Sequence, residues 1–378
     1  MTVHFYQPDS FLRTRQKTNP FLDPIIKVCE KNSIDYKIFL PHCPNDIGYK
    51  KSIVFNTSWI SVIGNVVWKI AKIIGFRNAP AVYFAYARVL RLVTGKRHSA
   101  DIVISCGGAL GYVLSRLYPN SRVVDLQHGV IYSRHSGYFD STCRLTKLLQ
   151  RMPNREFWVY GQGYADCFFK NPDNVKDLQE RVKIIGDVIR AVEERCDGVK
   201  ERGNDRVRNV IVFSLQLTAD LSREEMASSV AKMEEFFADV FQHFGDKYVC
   251  YVKHHPRFNN VYDLSSFYAK FPQVSETKKQ WTELYDQMVL HVTFNSTVTF
   301  DCASHGIPTF LVDLPSVKII MRNFYNDDYG YPYYDKTIDE ILELPFEESR
   351  LTILAWYHHF YAPFSEENCL RLLSGNKN

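Results

Sequence analysis

Three short apolar runs between Tyr248 and Asp313 are each bordered by polar or turn-forming residues. We interpret the runs as buried strands of a parallel sheet and the polar residues as the loops at their carboxyl ends. The sequence reads Tyr248–Val252 before Lys253-His254-His255-Pro256, Val289–Phe294 before Asn295-Ser296-Thr297, and Gly306-Ile307-Pro308 before Thr309–Val312. In open α/β sheets, ligands bind in the crevice outside the carboxyl ends of the strands. The pattern therefore predicts an α/β domain with a binding site at this edge.

The first two polar loops carry groups that suit a phosphate. Lys253 and His255 offer positive charge and imidazole, and Ser296 and Thr297 offer hydroxyls at the expected start of a helix, where free N–H groups attract anions. On neighbouring parallel strands, the two loops would grip one phosphate from two sides. Simpler interpretations stay open, because a histidine before a proline can bond a loop carbonyl and Ser-Thr after a strand is a common N-cap.

A second set of strand-turn-helix patterns begins at Asp101. The strand Ile102–Ser105 leads into a glycine turn, and the strand Arg122–Leu126 leads into a loop that contains glycine and histidine. These two loops should lie side by side at one sheet edge, where glycine lets a ligand approach the backbone closely. The residues of interest are Gly107, Gly108, Gln127, His128, Gly129 and His135.

The chain has 378 residues, which suits two domains of roughly 150 to 200 residues each. Charged residues dominate from Asp187 to Asn209, without an apolar face, so we predict a linker there. The predicted organisation is a first domain over residues 1–190, a linker over 191–208, a second domain over 209–346, and a helical C-terminal segment over 347–378 that could cross back onto the first domain.

The cysteines and the start of the chain predict a cytoplasmic protein. Nine cysteines occur without a C-x-x-C pair or a zinc-finger spacing, which indicates reduced, mostly buried thiols. No apolar leader follows Met1. The net charge of +4 is modest, and no nucleic-acid reading motif accompanies it, so nucleic acid is not an expected partner.

The segment from Trp59 to Val93 is apolar but repeatedly interrupted by cations. It contains no window of 18 uncharged apolar residues, so it does not predict a membrane span. Core helices with ordinary solvated lysine and arginine are the simpler interpretation. Helices with apolar and basic faces also bind anionic lipid, so peripheral contact with an inner membrane face stays a hypothesis.

Two α/β domains joined by a charged linker, with glycine and histidine loops, resemble the GT-B glycosyltransferases, in which two Rossmann-like domains face each other across a cleft. The resemblance is carried by residues 122–138 and 248–313. Lys253-His254-His255-Pro256 resembles the His-Pro motif of bacterial sialyltransferases and related CMP-sugar transferases of the sialyl or Kdo type, and Asn295-Ser296-Thr297 resembles their paired-hydroxyl motif. Leu126–Val130 with Gly137-Tyr138 is similar to a segment of capsule and lipopolysaccharide biosynthesis proteins of Gram-negative bacteria.

This resemblance implies an inverting, metal-independent glycosyltransferase. It would move a sugar from a nucleotide donor, with CMP as the first expectation, to a bacterial surface glycan or its lipid-linked precursor. The donor is a substrate, and no separate cofactor is expected. Three alternatives stay open: a UDP- or GDP-hexose transferase, a polyol-phosphate transferase like those of teichoic acid synthesis, which share a comparable phosphate-binding half, and a catalytically silent nucleotide-binding subunit.

The resemblance also implies roles for individual residues. The nucleotide and its phosphate would contact Lys253, His255, Pro256, Asn295, Ser296, Thr297 and Asp301. His255, together with Lys253, would in addition stabilise the negative charge on the departing nucleotide. The acceptor side would be lined by Gly107, Gly108, Gln127, Gly129 and His135. The base that activates the acceptor would be His128, because imidazole titrates near neutral pH, with Asp125 as the second candidate.

Overall fold

The computed structural model describes residues 1–7, 19–40, 54–56, 58–73, 79–94, 99–106, 108–190, 208–217, 221–255, 262–294, 296–313 and 320–375. The chain divides into two compact units, the first formed by Met1–Lys200 with Phe360–Asn378 and the second by Glu201–His359. Except for Arg208, the linker predicted over 191–208 lies outside the described residues.

Both units are built from parallel strands connected mainly by helices. The strands are β1 (Thr2–Tyr6), β2 (Asp35–Leu40), β3 (Val54–Asn56), β4 (Ile102–Cys106), β5 (Arg122–Leu126), β6 (Arg155–Val159), β7 (Val182–Ile184), β8 (Val210–Leu215), β9 (Val249–His254), β10 (Val274–Glu276), β11 (Met288–Thr293) and β12 (Thr309–Leu311). The helices are α1 (Asp23–Lys31), α2 (Ser58–Ile73), α3 (Ala79–Thr94), α4 (Gly108–Leu117), α5 (Lys147–Gln150), α6 (Gln162–Phe169), α7 (Val175–Leu178), α8 (Arg223–Phe244), α9 (Ser265–Lys270), α10 (Trp281–Leu284), α11 (Val298–Ala303), α12 (Ile320–Asp327), α13 (Ile338–Leu342), α14 (Phe346–Phe360) and α15 (Glu366–Ser374).

The sheet of the first unit has the strand order β3-β2-β1-β4-β5-β6-β7, and that of the second has β10-β9-β8-β11-β12. In each sheet the first strand lies inside, and the strand order reverses beside it, between β1 and β4 and between β8 and β11. Such reversal points are where open α/β sheets form their ligand crevice. The prediction that β4 and β5 place their loops side by side is confirmed, because these two strands pair directly.

The predicted arrangement of the two phosphate loops is wrong in one respect. The loops follow β9 and β11, which we expected to be neighbours, but β8 lies between them. Since adjacent strands are about 4.8 Å apart, the two loops start about 10 Å apart. A residue at the end of β8 must therefore occupy the centre of the site.

Helix α8 holds the second sheet from one face. Its first turn is closed by a capping box, in which Ser222 accepts from the Glu225 N–H and the Glu225 carboxylate accepts from the Ser222 N–H. The helix buries Met226, Val230, Met233, Phe237 and Val240 at helical spacing. Phe237 lies 6.0 Å, between ring centres, from Phe213 on β8, so α8 packs directly beneath the strand that ends at the centre of the site.

The C-terminal segment is two helices rather than one, because Pro363 falls between α14 and α15 and lacks the N–H that a continuing helix would need. The Tyr164 hydroxyl donates to the Tyr361 hydroxyl at 2.9 Å, and the Asp187 N–H donates to the Ala362 carbonyl at 2.7 Å. The Arg122 guanidinium donates to the carbonyls that end α15. The last helix therefore packs on the first unit.

Among the helices of the described residues, none is both long enough and apolar enough to cross a membrane.

Candidate functional site

The reversal point of the second sheet brings three polar side chains into one row. Leu215 on β8 pairs with His254 on β9, so the next residues, Gln216 and His255, lie side by side at the carboxyl edge. The His255 N–H donates to the Leu215 carbonyl at 3.2 Å. On the other side, the Gln216 amide Nε2 donates to Ser296 Oγ at 3.0 Å. Gln216 thus joins the loop after β9 to the loop after β11. Neither sequence motif includes this residue.

Ser296 is buried and fixes the shape of the loop after β11. Its Oγ accepts from the Val298 N–H at 3.2 Å as well as from Gln216, its N–H donates to Thr293 Oγ1 at 3.2 Å, and its carbonyl accepts from the Tyr325 hydroxyl at 2.8 Å. Because both contacts to Ser296 Oγ use the oxygen as acceptor, neither of them engages the Ser296 O–H as a donor.

The neighbours of Ser296 face solvent or lie outside the described residues. Thr297, at the N-cap of α11, and Asp301, within that six-residue helix, are exposed. Pro256 and Asn295 lie outside the described residues. The exposed hydroxyl of Thr297 is accordingly the described group on this loop most accessible to a ligand.

The Lys253 ammonium does not point toward the row formed by His255, Gln216 and Ser296. The Lys253 Nζ donates to the Lys279 carbonyl and lies 5.4 Å from the centre of the Trp281 ring. Burial lowers the pKa of Lys253, and Glu283 partly offsets that effect. Burial also lowers the pKa of His254, against the opposing charge of Glu276. The described geometry thus brings His255, Gln216 and Ser296 together and turns the Lys253 ammonium toward Trp281.

A buried histidine, His291, forms hydrogen bonds between the strands that carry this row. His291 on β11 shares a hydrogen bond with Ser214 Oγ on β8 at 2.8 Å through Nε2 and one with Thr309 Oγ1 on β12 at 2.9 Å through Nδ1. Burial lowers the pKa of His291 to about 3, so the ring is neutral at physiological pH. His291 therefore acts as an uncharged tie between three adjacent strands.

In the first unit, Asp125 is committed to a buried ion pair. Its carboxylate contacts the Arg155 guanidinium, and both side chains are 0% exposed. Gly111 makes room for this pair, because a Cβ there would lie 2.7 Å from the guanidinium carbon. The Tyr112 ring centre lies 4.8 Å from that carbon and adds a cation–π contact. With no exposed surface, Asp125 is placed to stabilise the sheet, and we do not assign it the role of base.

Gln127 locks the backbone that carries His128. The Gln127 Nε2 donates to the Gly129 carbonyl at 2.8 Å, and its Oε1 accepts from the Tyr160 N–H at 2.8 Å. The Tyr160 hydroxyl donates to the Gln127 carbonyl at 2.6 Å. We call this set of bonds the Gln127–Tyr160 clamp. It makes Gln127 a buried structural residue and presents half-buried His128 on a fixed turn.

His135 lies in the same loop as His128, and the two imidazoles interact electrostatically. The His135 Nδ1 accepts from the Gly137 N–H at 3.1 Å, and its ring lies between those of Tyr132 and Tyr138, with centres 5.0 and 5.1 Å away. Burial, and then the charge of His128, lower the pKa of His135. A neutral His135 whose Nδ1 accepts carries its proton on Nε2, so it is a hydrogen-bond donor there.

The structure gives a different result for each of the three glycines predicted at the β4/β5 edge. A Cβ at exposed Gly129 would have no heavy atom within 4 Å, so packing does not demand glycine there. Gly108 is the first residue of α4, and Gly107 lies outside the described residues.

At the reversal point of this first sheet, Gln7 directly follows β1. Its amide is buried and has no hydrogen-bond partner among the described residues.

The described residues contain no group of three or more histidine, cysteine, aspartate or glutamate side chains that could hold a metal ion. The polar row of the second unit instead offers an imidazole, an amide and a hydroxyl.

No protein-family model matches the chain, and no curated protein matches it. Solved structures do. A protein described as a UDP-N-acetylglucosamine 2-epimerase from Listeria monocytogenes is 12% identical, with a TM-score of 0.51, over 99% of this chain and 94% of its own. The S. aureus MnaA–UDP structure is 11% identical, with a TM-score of 0.50, over 98% and 94%.

The chain has a GT-B fold. Near-complete coverage of both neighbours, together with two parallel α/β units, confirms the prediction of two Rossmann-like domains. The lipopolysaccharide outer core galactosyltransferase WaaB is 9% identical, with a TM-score of 0.49 and 99% coverage of both chains. The likeness to the first two structures, at 12% and 11% identity, establishes the fold alone.

Proposed function

We propose that the chain is a nucleotide-sugar enzyme of the glycosyltransferase type, whose second unit binds the phosphate of the donor. The observation that carries the proposal is the contact between Gln216 and Ser296 at the β8/β11 reversal point, with His255 beside it. Three hydrogen-bonding side chains at the carboxyl ends of adjacent strands are the arrangement expected around a nucleotide phosphate. The motif resemblances of residues 253–256 and 295–297 support the same assignment.

The chemistry of the row suits a leaving group that departs with negative charge. Transfer breaks the bond between the sugar's anomeric carbon and the donor phosphate oxygen, and the bonding electrons stay on that oxygen. His255 Nε2 or Nδ1, the Ser296 O–H and the Thr297 O–H can all donate to it, which stabilises the charge as it forms. These donors are neutral or cationic, so the proposal needs no bridging metal.

His128 is the proposed base. It would accept the proton of the acceptor hydroxyl while that oxygen bonds the anomeric carbon, which inverts the configuration there. The Gln127–Tyr160 clamp supports this choice, because a base acts efficiently only when its position is fixed. His135, with its Nδ1 already accepting from Gly137, would serve as a donor rather than as the base.

The proposed donor is a CMP-sugar and the proposed acceptor a bacterial surface glycan or its lipid-linked precursor, with the reaction on the cytoplasmic side. The donor follows from the resemblance of Lys253-His254-His255-Pro256 to the His-Pro motif of CMP-sugar transferases, and the acceptor from the resemblance of Leu126–Val130 with Gly137-Tyr138 to capsule and lipopolysaccharide biosynthesis proteins. The binding experiment first addresses which nucleobase the donor carries.

The test is calorimetric titration of CMP, CDP, UDP and GDP into the wild type and into Gln216→Ala, Ser296→Ala and His255→Ala. Each variant removes one hydrogen bond to phosphate or to its support, so we expect affinity to fall about tenfold. Gln242→Ala and His243→Ala are matched controls, because both side chains are exposed on α8. Absence of binding for every nucleotide, or equal losses in the controls, would contradict the proposal.

Product analysis then separates the reaction types. Incubation with the preferred nucleotide-sugar and a glycan acceptor should yield a product whose mass rises by one sugar. A rise that includes phosphate would assign a polyol-phosphate transferase. Conversion of the sugar to its epimer without consumption of acceptor would replace transfer by epimerisation. Binding without either reaction would leave a nucleotide-binding subunit.

A further inference from the structure

Helices α2 and α3 each expose an apolar stripe on the first unit. Val62, Val66, Ile70 and Ile73 follow one another at helical spacing on α2, and Val89 and Leu92 do so on α3. Ile73 is 83% exposed and Leu92 is 75% exposed. Of the twelve large apolar side chains that are exposed in the described part of the chain, seven belong to this helix pair: these six and Trp68, which is 40% exposed and pairs with Tyr83. We call the six without Trp68 the α2–α3 outer face.

The inner face of the same helices accounts for their packing. A Cβ at Gly64 on α2 would lie 3.0 Å from the Tyr86 ring on α3, so the helices meet closely there. The Trp68 and Tyr83 rings form an edge-to-face pair with centres 5.6 Å apart. Leu90 is fully buried in the cluster that α3 shares with α4 and the sheet. The helices are thus held to the unit by their inner side, and the outer face is not needed for that.

Helices α2 and α3 carry lysine and arginine but no aspartate or glutamate. Lys69, Lys72, Arg88 and Arg91 are exposed on the same two helices, and none forms an ion pair with a described residue. The sequence from 47 to 100 contains nine lysine and arginine residues and no aspartate or glutamate. Because the whole chain has a net charge of only +4, the remainder is net negative. Positive charge is therefore concentrated in the segment that exposes the apolar stripes.

We propose that the α2–α3 outer face docks on an anionic lipid surface. An amphipathic helix lying in a membrane interface buries its apolar side chains at the level of the acyl-chain boundary while lysine and arginine contact lipid phosphates. At 16 residues each, the helices are about 24 Å long, suited to lying on a bilayer. Neither one qualifies as a membrane span.

The charges favour lipid over a second copy of the chain as the occupant. In a two-fold dimer the same patch faces itself, so the four cations of one copy would oppose the four of the other. An anionic bilayer offers the opposite charge instead. The inference goes beyond the proposed function, since none of these residues has a part in nucleotide binding or transfer there.

The experiment is flotation of the full chain with vesicles of equimolar phosphatidylcholine and phosphatidylglycerol, and with vesicles of phosphatidylcholine alone. The wild type should float with the anionic vesicles and be released by high salt. Lys69→Gln with Lys72→Gln should lower the partition coefficient roughly 25-fold, since each cation near an anionic surface contributes about fivefold. Ile70→Ser with Ile73→Ser should abolish flotation.

Matched controls use side chains elsewhere on the surface. Leu351→Ser replaces a leucine that is 62% exposed, and Lys176→Gln with Lys247→Gln removes two exposed cations. Both controls should float like the wild type. No flotation of the wild type, or equal losses in the controls, would overturn the proposal. Light scattering that shows a dimer, disrupted by Ile70→Ser with Ile73→Ser, in a chain that does not bind vesicles would overturn it too and make the face an interface between copies. Nucleotide titration of the same variants distinguishes this outcome from failure of the proposed function.

Discussion

Replacing Asp125 by asparagine should reveal whether this residue stabilises the first unit or performs chemistry. The substitution keeps the shape of the side chain but removes its charge. The Arg155 guanidinium, fully buried beside it, would then lose its ion pair with the Asp125 carboxylate. Because a charge without its partner in a protein interior is costly, we expect the variant to lose stability.

The size of the effect follows from the burial of both partners. Removing one member of a buried ion pair costs about 3–5 kcal/mol, whereas an exposed pair is worth about 0–1 kcal/mol. For a domain of 150 to 250 residues, each kcal/mol shifts the melting temperature by about 2–4 °C, so the transition of the first unit should fall by roughly 6–20 °C. Asp125→Leu combined with Arg155→Met should recover part of that loss, because no charge is then left buried.

Calorimetric melting of the wild type, Asp125→Asn and the double variant measures these shifts. Asp173→Asn is the matched control, because it removes a carboxylate from the exposed ion pair with Arg144 and should change the melting temperature little. If Asp125→Asn melted with the wild type but lost transferase activity, Asp125 would be a catalytic group. The structural argument, and with it the preference for His128 as base, would then be refuted.

Two further predictions concern residues that hold the two sites in place. Tyr160→Phe removes the hydroxyl that donates to the Gln127 carbonyl, so the free energy of unfolding should fall by about 1–3 kcal/mol. On the proposal that His128 is the base, turnover should also fall and its pH profile should shift. An unchanged pH profile would show that the clamp does not position the base. The pKa of His291 is about 3 in the folded state and near 6.5 in the unfolded state. Between these pH values the unfolded state binds one more proton than the folded state. The free energy of unfolding therefore falls as the pH drops through that window, by up to about 1.4 kcal/mol per pH unit. Urea titrations at several pH values should find that slope reduced in His291→Asn, and an identical slope would contradict the neutral buried ring.

The strands that lead into the candidate site residues could be recognised from sequence because each is a local pattern, whereas the three-residue strands β3 and β10 were not predicted. Ile102–Ser105 and Arg122–Leu126 are apolar runs bounded by glycine or polar turns, and they became β4 and β5 with nearly the same bounds. The order of strands in a sheet is not a local property. The segments that became β9 and β11 follow similar patterns, and nothing in either one states that β8 lies between them.

Gln216 escaped detection for the same reason. A single glutamine after an apolar run has no motif, and its importance comes only from the central position of β8. The rule that the first strand of a Rossmann-like sheet lies beside the reversal point would have directed attention to it. No such rule identifies Arg155 as the partner of Asp125. The two residues are 30 positions apart in sequence and meet only through the pairing of β5 and β6.

The residues of the candidate site divide by whether their polar groups are already used within the protein. Asp125, Gln127 and His291 are buried and bonded to neighbouring elements, so substituting them should first change stability and only through it the chemistry. His255 and Thr297 are at least partly accessible at strand ends, where a change removes little folding energy and mainly alters what a ligand contacts. Ser296 belongs to both groups, because its oxygen holds the loop while neither of these contacts engages its O–H as a donor. Substitution of Ser296 should consequently affect nucleotide affinity and stability together, and comparison with Thr297, where only affinity should change, separates the two contributions.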